Sequence, residues 1–287
     1  QVVLLDSGCL CCAASDSLRD TLIDLFSRRS SGTVAPFDRI IVETSGLANP
    51  APLVAALIGD SALAPRCELS QVLTLVDAVN GPDTLARYRE AQLQVAFADR
   101  LLITKTDLVS ASQAQQVEAT LAALNPRAII ERRQAGHAAA AHFEAHAAVD
   151  ERTRSGPASA WLRGPLRPQY TDESATHGEA FGKIVTHVLR ISEAIGWDGY
   201  AAWTDAMRRR FGKRLLRCKG LLTIGPDASR WIVQGVQGFF ARPVPWTDGS
   251  GTAGSYLVCI GEELDRAELD QLLDLLDPAL TSQRKSS

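Results

Sequence analysis

Over the first 133 residues, short apolar strand-like runs alternate with helix-length amphipathic segments, and three of the runs stop at a polar cluster. Phe37 to Val42 ends in Glu43-Thr-Ser-Gly46, Gln71 to Val76 ends at Asp77, and Arg100 to Ile103 leads into Thr104-Lys-Thr-Asp107. A further short run covers Ala128 to Ile130. Between them lie helical patterns: Leu18, Leu22, Leu25 and Phe26; a segment capped by Asn49 with Pro50 and Pro52 in its first turn; and one opened by Ser110 that carries Val117, Leu121 and Leu124. Strand–helix alternation of this kind predicts a parallel sheet with helices on both faces. Apolar strands without strict period-two alternation agree, because a parallel sheet is buried on both sides. Ligands of such sheets bind beyond the carboxyl ends of the strands, which is where the three polar clusters fall.

The second half reads differently. Residues 134–177 turn to Ala, His, Arg, Gly and Pro without clear periodicity and are expected to form a linker. From residue 178 to 287 the pattern predicts a smaller α+β domain with a mainly antiparallel sheet. Its strand-like stretches are Ile184 to Ile191, Leu215 to Ile224, Arg230 to Phe239 and Ser255 to Ile260. Two helices, Trp197 to Phe211 and Arg266 to Leu276, are expected on one face of that sheet. Arg208 to Lys219 holds seven basic residues and no acid, a pattern that reads as a solvated helix end followed by an edge strand. Cys67, Cys218 and Cys259 are isolated in sequence and read as packed thiols.

Net charge is −3 and the sequence pI is about 6.0, so nothing global favours nucleic acid or an anionic membrane. No apolar run is long enough to span a bilayer as a helix. The expectation is a cytoplasmic protein, where clustered thiols suggest metal or redox chemistry before disulfides. The only methionine is Met207 and the chain opens inside a strand-like run, Val2-Val-Leu-Leu5. N-terminal sequence is therefore expected upstream.

Three side-chain groups carry candidate chemistry. Asp107 follows a strand and can accept two hydrogen bonds from guanine, through the ring N–H and the exocyclic amine, while the Lys105 stem can pack along a base. The plain alternative is a polar loop after a strand. Glu43 can organise Mg²⁺ or its water shell, and Gly46 lets the backbone approach a terminal phosphate. Its alternative is an ordinary strand-to-loop turn. Cys9, Cys11 and Cys12 supply three thiols within four residues. In an extended stretch Cys9 and Cys11 point the same way, and Cys12 joins them if the chain turns into the following helix. Thiolates select soft or borderline metals, Zn²⁺ being the common case and Cu(I) or cobalt the others. Three buried core cysteines, or a redox-labile pair, are the alternatives.

Gly8-Cys-Leu-Cys-Cys12, Glu43-Thr-Ser-Gly-Leu-Ala-Asn-Pro50, Val76-Asp-Ala78 and Thr104-Lys-Thr-Asp107, in this order, resemble the CobW family of metallochaperone GTPases. Arg214 to Leu222, Val233 to Gln237 and Val258 to Gly261 resemble that family's C-terminal domain. The resemblance implies a GTPase-like domain over 1–133 and a CobW C-terminal-like domain over 178–287. It implies Glu43 and Gly46 as Walker B-like and γ-phosphate-sensing positions. Thr104, Lys105 and Asp107 become the guanine-reading element, and Cys9, Cys11 and Cys12 the metal motif. The cofactors implied are GTP, Mg²⁺ and Zn²⁺, with Co²⁺ or another transition metal as the alternative cargo.

The chain departs from that family in one respect: it contains no Gly-rich turn ending in Gly-Lys-Ser/Thr, and the first switch is absent. By itself it is expected to bind GTP weakly and hydrolyse it poorly, the full-length protein supplying these parts. The function expected is a GTP-dependent metal chaperone that delivers its ion to a client metalloprotein docked on the C-terminal domain. The chain is expected as a monomer or weak homodimer. The competing expectation is a zinc-sensing or zinc-buffering interaction protein without nucleotide hydrolysis. A dinucleotide-dependent oxidoreductase would need a Gly-rich fingerprint after a strand, which is lacking.

Overall fold

The computed structural model describes residues 13–63, 65–67, 69–133, 184–246 and 254–276. The chain divides into two compact units, Gln1–Leu69 and Ser70–Ser287. Residues 134–183, which include the expected linker and the start of the expected second domain, lie outside the described residues.

The first unit is helical where it is regular. Helix α1 (Ala13–Ser30) packs on α2 (Pro50–Gly59), with Leu18, Leu22 and Leu63 buried and Phe26, Ile40, Leu53, Leu57 and Cys67 against them. Asn49 caps α2 as its residue type predicts, its side chain accepting from the Ala51 N–H at 3.0 Å. Below α2, Asp60 accepts from Arg19 Nε at 2.6 Å and from the N–H groups of Ala62 and Leu63, so one carboxylate ties α1 to the turn.

The segment from Phe37 to Val42, expected as a strand, joins no sheet ladder among the described residues, and Ile41 and Val42 are 63% and 40% exposed. The described strands of the parallel sheet all belong to the other unit.

The second unit holds two sheets. The first is parallel, in the order β1 (Leu73–Asp77), β2 (Arg100–Thr104), β3 (Ile129–Arg132). Helices α3 (Gly81–Arg87) and α4 (Arg89–Phe97) connect β1 to β2, and α5 (Ala111–Leu124) connects β2 to β3. Ser110 starts α5 through a capping box in which Ser110 and Gln113 each bond the other's backbone N–H. The α5 stop is Asn125, which is buried. Its amide donates to the carbonyls of Val95, Ala96 and Ala98 and accepts from the Ala128 N–H, so it stitches the ends of α4 and α5 together.

The second sheet follows the order β4 (Ile184–Ile191), β9 (Ser255–Glu262), β5 (Leu215–Ile224), β6 (Ser229–Val236), β7 (Phe239–Phe240), with β8 (Val244–Pro245) also pairing β6, and is antiparallel. Helices α6 (Trp197–Arg210) and α7 (Arg266–Leu273) share one core with it. Tyr200, Trp203 and Met207 line the buried stripe of α6, as their spacing predicts, and Phe211 at its C-cap joins the same core. Gly220 is required where β5 meets β9, because a Cβ there would lie 2.2 Å from the Tyr256 carbonyl oxygen.

Two expectations for this sheet are corrected. The single run from Arg230 to Phe239 breaks into a hairpin, turning at Gln237 and Gly238, both at positive φ. The basic run does not end on an edge strand. β5 is interior to the sheet, and Arg217 and Lys219 are buried on its face opposite the helical core. Both cations bond Asp99, the residue before β2. Cys218 and Cys259, isolated in sequence, are packed as expected, and they face each other in register in the core with Sγ atoms 3.7 Å apart. Among the described residues no helix is long and apolar enough to cross a membrane.

Candidate nucleotide site

Asp77 and Thr104 end adjacent parallel strands in register, which places the polar residues that follow at one edge of the sheet. The Ala78 N–H donates to the Thr104 carbonyl at 2.9 Å, and Thr104 Oγ1 donates to the Val76 carbonyl at 3.3 Å, so the two strand ends are locked together. The chain then turns sharply at Lys105, which adopts the left-handed region at φ 56°. A non-glycine residue rarely takes that conformation unless something holds it. Here the ammonium of Lys105 is bonded to the Asp77 carboxylate. Thr106 Oγ1 donates to the Arg133 carbonyl at 3.1 Å beyond β3, and a single 3₁₀ turn, Thr106–Leu108, follows.

Asp77 is the hub of this arrangement. One carboxylate oxygen accepts from the N–H groups of Val79 and Asn80 at 2.7 and 3.2 Å, and the other from the Asn80 amide and Lys105. Partial burial works to raise its pKa, but the lysine and the backbone donors outweigh it and hold the carboxyl at about 2. The sequence marks Asp77 as a strand end and names no partner for it. The signal was the parallel register, which sets Asp77 beside Thr104 and one residue from Lys105.

Asp107 stands at the open side of the loop. Its side chain is exposed and has no hydrogen-bond or ion-pair partner among the described residues, whereas its neighbours are all braced. A carboxylate held this way can take two hydrogen bonds from an incoming pair of N–H donors without first breaking an internal one. This donor set suits guanine.

Glu43 and Gly46 belong to the first unit. Glu43 is exposed, and Gly46 lies in a turn closed by the Ala48 N–H on the Ser45 carbonyl at 3.0 Å, with open space where a Cβ would stand. The structure thus brings together Thr104, Lys105, Asp107 and Asp77, and describes Glu43 and Gly46 separately. Cys9, Cys11 and Cys12, with His137, His142 and His146 of the expected linker, lie outside the described residues. Among the described residues no three His, Cys, Asp or Glu side chains gather to hold a metal ion.

Residues 1–132 match the family model of the CobW/HypB/UreG nucleotide-binding domain, and residues 184–276 match that of the cobalamin synthesis protein CobW C-terminal domain. The chain belongs to the CobW family. Its relatives include the zinc chaperone YjiA of Escherichia coli, 28% identical over 274 residues that cover 94% of this chain and 80% of that one. A zinc chaperone CobW of Pseudomonas aeruginosa is 27% identical over 94% of this chain and 73% of its own length. The zinc-regulated GTPase metalloprotein activator 1 of Schizosaccharomyces pombe is 32% identical over 124 residues, 43% of this chain and 29% of its own. Among solved structures, a zinc-bound triple-substituted variant of the YjiA GTPase superposes with a TM-score of 0.69 at 27% identity, over 90% of this chain and 77% of that one. CobW-family relatives are thus zinc chaperones and GTPases, and the family architecture is the one described above.

Proposed function

We propose that this protein is a GTP-dependent zinc chaperone that couples nucleotide state to the delivery of its ion to a client metalloprotein. The observation that carries the reading is the braced loop after β2, which leaves the Asp107 carboxylate exposed and unengaged beside the Lys105–Asp77 pair. The names of the relatives, zinc chaperones and a zinc-regulated GTPase activator, support the same reading.

In this reading Asp107 accepts from the ring N–H and exocyclic amine of guanine. Lys105, its ammonium committed to Asp77, offers its alkyl stem to the base, and Thr104 fixes the strand end from which the loop departs. An adenine base lacks that pair of donors, so a carboxylate covered by it would lose its water without gaining a partner, and discrimination follows from that loss. Glu43 serves Mg²⁺ or its water, and the Gly46 backbone approaches the terminal phosphate. Bound GTP supplies the phosphoanhydride whose cleavage drives release. Zinc is cargo, held by the thiolates of Cys9, Cys11 and Cys12. Three sulfurs leave a coordination position open, which suits an ion that must be handed on. The client docks on the C-terminal domain.

The test is calorimetric titration of the full-length protein with zinc, in the presence of a non-hydrolysable GTP or ATP analogue, for the wild type and Asp107→Asn. A coupled chaperone shows a zinc affinity changed by about tenfold or more with the GTP analogue alone, an effect lost in the variant. Equal zinc affinity in every state sinks the coupling, and an unchanged guanine preference in the variant removes Asp107 from the site.

A further inference from the structure

Two thiols lie face to face in the core of the antiparallel sheet. Cys218 of β5 and Cys259 of β9 are directly opposed in register, each 0% exposed, and their Sγ atoms stand 3.7 Å apart, close enough to share an S–H···S hydrogen bond. Both strands are interior: β9 pairs β4 on its other side, and β5 pairs β6.

The register decides what this contact can become. Directly opposed residues of an antiparallel pair have Cα atoms about 4.5 or 5.5 Å apart, depending on whether they exchange hydrogen bonds. A disulfide needs about 4.4–6.8 Å between Cα atoms and about 2.0 Å between sulfurs. Either kind of opposed pair meets the first requirement, so the backbone already suits the bond and rotation of the side chains supplies the second. The strands approach closely on both sides of the pair. A Cβ on Gly220 would lie 2.2 Å from the Tyr256 carbonyl oxygen, and one on Gly261 would lie 2.3 Å from that of Arg214.

We propose that Cys218 and Cys259 are a reversible dithiol–disulfide site that staples the interior strands β5 and β9 of the C-terminal domain. The oxidant is a small disulfide of the glutathione class. The thiolate of one cysteine attacks it, one glutathione thiolate leaves, and a mixed disulfide remains. The thiolate of the other cysteine then attacks the protein sulfur of that mixed disulfide and expels the second glutathione. Two protein S–H bonds are lost and one S–S bond forms; the two electrons and two protons leave with the two glutathione thiols. Burial decides when this happens. The hydrogen bond to Cys259, and then burial, push the Cys218 thiol well up, so in the closed sheet it stays protonated and exchanges poorly. Exchange begins while the β5–β9 ladder is open, during folding or local unfolding, and the fold favours its second step as the ladder closes. The site uses no nucleotide or metal residue, so it stands or falls separately from the proposed function.

The test uses glutathione as the probe. The full-length protein, reduced in urea and freed of metal by a chelator, is refolded in buffers of graded reduced-to-oxidised glutathione ratio, and the same buffers are applied in urea. Acid quenching, alkylation and peptide mapping give the fraction linked between residues 218 and 259, and so the effective concentration of the pair in each state. An effective concentration at least about tenfold higher in the folded protein is expected, because a bond that fits the fold stabilises it. The oxidised protein is expected to melt about 4 °C or more above the reduced one, a difference that dithiothreitol abolishes and Cys259→Ala lacks. Absence of the 218–259 link overturns the proposal, as does an effective concentration no higher than in urea; the two residues are then packed thiols only. A link that leaves the Tm unchanged or lowers it overturns the staple, and an equal Tm shift in Cys259→Ala assigns the effect to other thiols and overturns it too.

Discussion

The two sheets of the second unit each anchor an aspartate to a lysine, and the two pairs do opposite work. Asp77 ends a parallel strand and bonds Lys105 at the sheet's edge, with side chains 24% and 53% exposed. Asp99 lies between the sheets and bonds Arg217 and Lys219 of an interior antiparallel strand, with side chains 12%, 6% and 9% exposed. Both carboxyls are held at about 2 against the opposing pull of burial, one by lysine and backbone donors, the other by two cations and the Val72 N–H. The same pKa therefore marks two different devices. At the strand end the pair fixes a loop and leaves Asp107 available to a ligand. Between the sheets the pair is a fastening whose removal strands two buried cations.

The largest effect expected follows from that difference. Asp99→Ala leaves Arg217 and Lys219 buried without their carboxylate and deprives the Val72 N–H of its acceptor, so unfolding in urea should show a loss of about 3–5 kcal/mol. A loss below about 1 kcal/mol would mean that the cluster is hydrated and that the contrast with Asp77 is false.

Titration separates the two pairs further. Each aspartate has a folded pKa below its unfolded value of about 3.9, so the unfolded chain binds the proton first. The stability they contribute is present above that value and is lost as pH falls towards about 2. The Asp99 cluster also has an alkaline arm. Burial, then Arg217, pull Lys219 from 10.5 down to about 8 against the pull of Asp99. Between these values the unfolded chain holds a proton that the folded one has released, and stability should rise with pH. Buried Cys218, whose thiol is pushed up, works in the opposite direction over the upper part of that range, so the arm is read as a difference: urea midpoints measured from about pH 7.5 to 10.5 should show the wild type gaining on Lys219→Met as pH rises.

Asp77→Asn is expected to cost only about 0.5–1 kcal/mol in the same unfolding assay, because a half-exposed pair gains little in high dielectric. Its larger effect should be on guanine preference, since Lys105 loses what holds it at φ 56°. A stability loss as large as that of Asp99→Ala would make Asp77 a structural fastening as well.

The sequence showed the strand ends and hid the fastening, for a physical reason. Strand–turn–helix punctuation is local: Asn49 and Ser110 cap helices through residues two and three positions on, and both caps form as their residue types require. Pairing is not local. Nothing near Arg217 announces that its counter-ion lies 118 residues upstream, so Arg217 and Lys219 become buried while the helix end of the same basic run, Arg208 to Arg210, stays exposed as it reads. At the site, Thr104, Lys105 and Asp107 were legible because one loop carries all three. The role of Asp77 needed the register between β1 and β2.

The smallest effect expected tests whether burial, rather than bridging, makes the Asp99 cluster strong. Arg89, at the start of α4, reaches Glu262 at the end of β9 with Nε–Oε1 at 2.9 Å, and so also joins the parallel-sheet layer to the antiparallel sheet. Its side chain is 62% exposed, however, against 21% for Glu262, and water competes for both ends. Arg89→Ala should therefore cost less than about 0.5 kcal/mol, a difference that shrinks further in high salt as screening replaces the lost partner. The Asp99→Ala loss should depend less on salt, because a buried pair is screened much less than an exposed one. If the two losses proved comparable, or fell together with salt, the join between the layers would rest on exposed charge and the buried cluster would not be its fastening.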